Sequence, residues 1–194
     1  MGKKNIRNTK GRIINAAWKL FYEQGYDNTT VEEIIEESQT SKGSFYHYFE
    51  GKDALLGSLS YIFDEKYESL KESRDNGQNA FETLIFLNHE LFSMIENSVD
   101  MELLTRLFST QLITKGERHL MDSSRVYYRL LRKIISEGQE KDEIIKTLPV
   151  NEIVHFYAMC ERGLMYDWCL SEGSYSLTSF SDKMFPEMIK CLKK

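Results

Sequence analysis

Hydrophobic positions recur at helical spacing along almost the whole chain, and no stretch shows the period of two that marks a half-buried strand. The expected fold is therefore all-α. Near the N-terminus, Ile13, Ala17, Leu20 and Phe21 form the inner stripe of a helix that begins at Thr9. Gly25 closes it as a C-cap, and Tyr26 folds back over its end. Thr30 followed by Glu33 is a capping box, which starts a second helix. There Val31, Ile34 and Ile35 make a narrow apolar stripe opposite Glu32, Glu33, Glu36 and Glu37. The polar run Ser38, Gln39, Thr40 breaks that helix, and Ser41 caps a third that runs through Phe49. At about 100° per residue, Phe45, Tyr48 and Phe49 share its inner face, while Lys42, Gly43, Tyr46 and His47 cluster on the outer one.

Six more helices are expected. The first, over 54–74, is long, with Leu55, Leu59, Ile62, Phe63, Tyr67 and Leu70 inside, and Asp75, Asn76 and Gly77 end it. Others follow over 80–96, 101–114, 123–139, 150–172 and 177–192, the last interrupted near Pro186. The reading is thus an all-α chain of about nine helices. Residues 1–52 form a three-helix, helix-turn-helix head, and residues 53–194 form a larger helical body.

The outer face of the third helix carries a cation, a position without a side chain, a phenol and an imidazole. Glycine inside a helix costs about 1 kcal/mol relative to alanine, which makes sense where a bulky partner approaches the backbone. Double-stranded DNA is such a partner, since lysine, tyrosine, serine and histidine side chains bond phosphates and base edges. An ordinary surface helix shows the same polar face. Lys52 lies in the first turn of the next helix, where a cation is unfavourable unless an anion such as phosphate is near. Residues 1–19 hold Lys3, Lys4, Arg7, Lys10, Arg12 and Lys19 and no acid, a basic arm suited to phosphates or simply a solvated tail. The net charge of -5 is unevenly spread: residues 1–52 carry eight Lys/Arg against seven Asp/Glu, and residues 53–194 carry 17 against 23. The acidic part should face away from DNA.

With Ile14, Ala17, Phe21, Gly25, Tyr26, Thr30, Ile34, Ser41, Lys42, Gly43, Tyr46, His47, Tyr48, Phe49, Lys52 and Leu56 in this order, the first quarter of the chain resembles the DNA-binding domain of the TetR family of bacterial transcriptional regulators. The resemblance implies a homodimer whose head binds a palindromic operator and whose body, residues 53–194, dimerises and binds a small-molecule effector that releases the DNA. It places Thr30, Thr40, Ser41, Lys42, Gly43, Ser44, Tyr46, His47 and Lys52 on DNA-contacting positions. Lys42 and Ser44 would reach bases, and Tyr46, His47 and Lys52 would hold phosphates. Two such heads read half-sites about 34 Å apart or a multiple of it. The chain departs from the family pattern at Ser38, Gln39 and Thr40, where alanine, glycine and a small apolar residue are common, and at Ile35, which replaces alanine. If the turn needs positive φ at Gln39, its side chain costs about 1 kcal/mol.

The body is rich in large apolar side chains. Most are core, and a subset is expected to line a largely apolar pocket: Phe92, Phe108, Tyr127, Leu131, Phe156 and Met159, with His89, Arg106 and Gln111 supplying polar contacts. Glu161 and Arg162 belong to the same polar set. Tyr157, Cys160, Leu164 and Trp168 on the 150–172 helix, with Phe180, Met184 and Met188 on the last, are expected in the four-helix dimer interface that the resemblance implies; intramolecular core is the other reading of these stripes. Three cysteines, Cys160, Cys169 and Cys191, argue against a disulfide framework. The four histidines show no metal-ligand spacing, and no nucleophile, base and orienting group stand at catalytic spacing. No cofactor, metal or enzymatic activity is expected. With no apolar run long enough to span a membrane and no leader pattern, a cytoplasmic location is expected. The competing function is an apolar-ligand carrier or protein-interaction module that keeps the fold without reading an operator.

Overall fold

The structure, a computed structural model, describes residues 2–73, 77–113 and 118–194, and within them the side chains outside 2–8 and 71–73. The expected basic side chains Lys3, Lys4 and Arg7 and the turn residues Asp75 and Asn76 lie outside what is described. Ten α-helices are present among the described residues, and the one β contact is an isolated bridge between Ile144 and Lys193. The chain divides into two compact units, residues 1–60 with 106–120, and residues 61–105 with 121–194. The first unit therefore runs eight residues past the expected boundary at 52 and takes in a distant segment.

In the first unit, α1 (Gly2–Gln24), α2 (Val31–Glu37) and α3 (Lys42–Tyr48) pack on one another. Helix α1 starts seven residues before Thr9, since nothing between Lys3 and Asn8 breaks a helix. It ends at Gly25, whose φ of +85° is the left-handed closure expected there, and Tyr26 packs its ring 4.9 Å from that of Phe21. Ile13, Ala17, Phe21, Ile34, Phe45 and Phe49 are buried, as are Ala16 and Trp18.

The expected 54–74 helix is two helices, α4 (Lys52–Leu56) and α5 (Leu59–Ser73). The break falls at Gly57 and Ser58. The Ser58 amide bonds back to the Leu55 carbonyl at 2.9 Å, tightening the chain, and its hydroxyl accepts Trp18 Nε1–H at 2.7 Å. Gly57 gives up its side-chain space to the His119 ring: a Cβ there would lie 2.4 Å from His119 Cδ2. Apolar spacing runs straight through this break, so periodicity alone reads one helix.

The second unit holds the rest of α5, α6 (Ala80–Ser98), the start of α7 (Met101–Ile113), α8 (Val126–Glu140), α9 (Val150–Leu170) and α10 (Leu177–Met188). Asn79 and Glu82 form a capping box that starts α6. Helix α6 packs on α8 and α10, and α9 packs on the same two. Helix α10 runs through Pro186 to Met188, and a 3-10 turn follows over Lys190–Leu192. Near the start of α8, Arg125 clasps the Asp64 carboxylate with two bonds of 3.0 and 3.2 Å, and the Tyr127 amide adds a third at 3.3 Å.

Candidate nucleic-acid interface

Helix α3 is held in place from both ends. Ser41 sits in extended conformation, and its hydroxyl accepts the Ser44 amide at 3.1 Å, as the sequence expects of an N-cap. Phe45 is wholly buried and Phe49 nearly so, which fixes the rotation of the helix. Lys42, Gly43, Tyr46 and His47 are all exposed and share its outer face; Ser44 and Tyr48 are half-buried beside it.

The turn that leads into α3 is closed by the three residues that depart from the family pattern. Gln39 does adopt positive φ, +52°. Its amide bonds to the Glu36 carbonyl at 3.0 Å and the Thr40 amide to the Ile35 carbonyl at 3.1 Å. The Ser38 and Thr40 hydroxyls meet at 2.8 Å, and Arg12 donates to the Gln39 carbonyl at 3.3 Å. These bonds offset the roughly 1 kcal/mol that a side chain costs in this region. Arg12 is a positioning residue that local pattern did not single out, because its partner lies 27 residues away.

The nine expected DNA-contacting residues fall into two groups. Lys42, Gly43, Tyr46 and His47 present a continuous exposed face, with Ser41 and Ser44 at its N-terminal edge sharing a hydroxyl bond of 2.9 Å. The others are engaged within the unit. Thr30 works in the capping box, where its amide (2.7 Å) and hydroxyl (2.8 Å), with Gln24, hold the Glu33 carboxyl below its ordinary range. Thr40 is half-buried in the turn. Lys52 is a clasp: its ammonium donates to the carbonyls of Tyr26 and Thr29 at 2.6 and 2.8 Å and lies 4.2 Å from the centre of the Tyr26 ring. Those carbonyls supply the negative partner that the sequence reading assigned to a phosphate.

A second distant residue helps position the head. Arg106 of α7 pairs with Asp27 at 2.6 Å and stacks 4.7 Å from the Tyr26 ring centre, while the Tyr26 hydroxyl donates to Asp53. Burial first, then Asp53, pushes the Tyr26 phenol well above its ordinary range.

The nine expected pocket residues are divided between the two units. Arg106, Phe108 and Gln111 belong to the first unit, where Gln111 accepts the Leu120 amide at 3.2 Å. His89 is on the surface of α6, bonded to Asp182 at 2.9 Å, and Met159 is exposed. Phe156 is half-buried at an open cavity of about 540 Å³, lined also by Ile145, Leu148, His155 and Cys191. Only Phe92, Tyr127 and Leu131 lie in the interior of the second unit. Helical spacing ranks the faces of one helix but carries nothing about which helices those faces meet.

The expected dimer stripe on α9 needs correcting. Tyr157, Cys160, Leu164 and Trp168 are buried within the single chain, so they pack its core and leave no surface for a partner. The apolar stripe that stays uncovered is Met159, Tyr166 and Leu170, with Gly163 exposed between them and Phe156 half-covered at one end. On α10, Phe180 and Met184 are exposed and Met188 is half-buried. No described helix is long and apolar enough to cross a membrane.

Comparison with known proteins matches both parts of the chain. Residues 13–59 fit the family model of bacterial regulatory proteins of the tetR family, and residues 61–191 fit that of the C-terminal region of YsiA-like protein. The uncharacterised regulator YuxN of Bacillus subtilis is 36% identical over 95 residues, 47% of this chain and 33% of that one. The matches to it and two other curated relatives span only 24% to 49% of those proteins. The fatty acid metabolism regulator protein of Bacillus subtilis is 24% identical over 182 residues, 92% of each chain. Among solved structures, FadR of Thermus thermophilus in complex with lauroyl-CoA has a TM-score of 0.71 at 20% identity, covering 93% of each chain. FadR of Bacillus subtilis in complex with stearoyl-CoA has a TM-score of 0.67 at 22% identity, covering 94% of this chain and 99% of that one. At those identities the likeness is one of fold.

Proposed function

The chain belongs to the TetR family of bacterial transcriptional regulators, and on that premise we propose that it is a ligand-responsive repressor. In this reading a homodimer binds a palindromic operator in double-stranded DNA through α3 and releases it when a small, largely apolar ligand occupies the second unit. The observation that carries it is the rotation of α3: burial of Phe45 and Phe49 turns Lys42, Gly43, Tyr46 and His47 outward as one face. The turn geometry supports the same reading, because Gln39 takes the left-handed conformation that presents α3 despite its side chain. The capping side chains and the clasp at Lys52 make the head rigid before DNA arrives, which lowers the ordering cost of binding.

The test is binding of the full-length protein to its own upstream DNA against scrambled DNA across a salt series. A large specific-to-nonspecific ratio with a steep salt slope is expected. Weak, equal binding to both DNAs by ligand-free protein would favour the carrier or interaction-module reading. Acyl-CoA, present in the related FadR complexes, is a first probe for operator release.

Gly43 gives a sharp check on the recognition face. A Cβ there would meet nothing closer than Ser41 Oγ at 3.9 Å, so Gly43→Leu fits the free chain and gains helix propensity. The variant is expected to melt no lower than the parent and to lose operator affinity by about tenfold or more, read by fluorescence anisotropy. Unchanged affinity would remove α3's outer face from the interface.

For the dimer we assign the uncovered stripes, Met159, Gly163, Tyr166 and Leu170 of α9 with Phe180 and Met184 of α10. Two charges placed in such a patch cannot be desolvated cheaply. Met159→Glu with Tyr166→Glu is expected to sediment as a monomer with an unchanged helical spectrum; a persistent dimer would put the interface elsewhere.

A further inference from the structure

Five helices of the second unit send a polar side chain to one place in its interior. Glu161 of α9 is only 1% exposed, and its carboxyl accepts the Tyr127 hydroxyl of α8 at 2.7 Å and the Asn88 amide of α6 at 3.1 Å. Asn88 in turn accepts the Ser181 hydroxyl of α10 at 2.6 Å. Tyr67 of α5 brings its ring to 5.0 Å from that of Tyr127, and its hydroxyl is buried with no hydrogen-bond partner. Tyr128 follows with a ring 4.8 Å from Tyr127.

Two features of this cluster are not explained by packing. A carboxylate offers about four acceptor positions; Tyr127 and Asn88 fill two, and the Tyr157 hydroxyl, which donates to the Leu84 carbonyl at 2.8 Å, lies beside the carboxyl as well, which leaves room for a further donor. Among the described residues no lysine, arginine or histidine forms a direct ion pair with Glu161: Arg125 is taken by Asp64, and the neighbouring Arg162, whose charge is felt at the carboxyl, donates to the Tyr128 hydroxyl at 3.2 Å. Burial pushes the Glu161 carboxyl above its ordinary range against the pull of Tyr127, Asn88, Tyr157 and Arg162, and burial first, then the Glu161 charge, pushes up the Tyr67 phenol. A buried carboxyl without a direct ion pair and a buried phenol without a partner each cost free energy that an apolar side chain would avoid.

We infer that this cluster is the polar anchor of the effector site and that it takes an amine: a protonated nitrogen set against Glu161 and the tyrosine rings, carried on an apolar body. The inference rests on the reading of the second unit as the ligand-binding part. An ammonium donates to the carboxyl position still open and to the Tyr67 oxygen, and the ring faces of Tyr67 and Tyr127 favour a cation. A carboxylate in the same place would face Glu161 with no cation in direct contact with either charge. The cluster is closed in this conformation, with Glu161, Tyr67 and Asn88 no more than 2% exposed. A ligand reaches it by parting the helices that carry it, so the bound form differs from the closed one, as a regulatory ligand requires.

The test is isothermal calorimetry of the full-length protein at pH 7 with dodecylamine, dodecanol and dodecanoate, each below its micellar concentration. Dodecylamine is expected to bind about tenfold or more tightly than either of the others. Glu161→Gln should bring the amine down to the level of the alcohol while leaving the alcohol within about twofold. Tyr67→Phe breaks no bond in the free protein, so it folds, and it is expected to weaken the amine about fivefold and spare the alcohol. The inference is overturned if the amine does not bind, if dodecanoate matches it, or if both variants keep the amine preference. Operator binding is scored separately on the same samples. Amine binding by a protein that ignores operator DNA would sink the regulator and keep the anchor; operator release by acyl-CoA without amine binding would do the reverse.

Discussion

Replacing Arg125 by methionine is expected to cost about 3–5 kcal/mol of stability. The Arg125 and Asp64 side chains are 9% and 12% exposed, so removing the guanidinium strands a carboxylate where water reaches it poorly. The Tyr127 amide alone would remain to solvate it. Favourable attraction in the native pair is not what the variant measures; the loss comes from the charge left behind. That distinction has its own check. Asp64→Leu combined with Arg125→Met should recover more than half of the loss, because an apolar pair of similar bulk removes both desolvation costs. Urea unfolding followed by circular dichroism gives all three values. A loss below about 1 kcal/mol for the single variant would mean that solvent already screens the pair.

Phe45→Ala is expected to have the largest effect on DNA recognition, although Phe45 itself touches no DNA in the proposed pose. Its ring is wholly buried and lies 5.3 and 5.9 Å from those of Tyr46 and Phe49. Truncating a buried phenylalanine costs about 3–5 kcal/mol. A seven-residue helix such as α3 cannot hold itself together in water, so loss of its one fully buried anchor should disorder the recognition face. Specific operator binding is expected to vanish. Calorimetric ligand binding, which is proposed to depend on residues of the second unit, is expected to persist, and a variant that still discriminates operator from scrambled DNA would show that α3 is held by something else.

Much of the head was legible because its determinants are local. The Thr30 and Glu33 capping box, the Ser41 cap, the left-handed Gly25 and the strained Gln39 all act within five residues of themselves, and each is where the pattern puts it. What was hidden depends on long separation. Nothing near Gly57 announces that His119 will fill its side-chain space, and nothing near Lys52 announces that its charge will be spent on the carbonyls of Tyr26 and Thr29. Along α9 the difficulty is different. Apolar residues lie on two faces, Tyr157, Cys160, Leu164 and Trp168 on one and Met159, Tyr166 and Leu170 on the other, and periodicity cannot say which of two apolar stripes meets the chain's own core. Glu161 was visible as a polar residue in an apolar helix, but its burial without a direct ion pair among the described residues is a property of the packed unit.

The composition of the first unit sets a rule for anyone who would transplant it. A recognition module excised after Ser60 and fused to another sensor would leave behind Arg106, Gln111 and His119. Tyr26 and Asp27 would lose the guanidinium that stacks on one and pairs with the other, and Gly57 would face an opening where an imidazole belongs. Such a graft reads as complete by the family match, which stops at residue 59. A working chimera has to import residues 106–120 as well, which makes the transferable part of this regulator discontinuous in sequence.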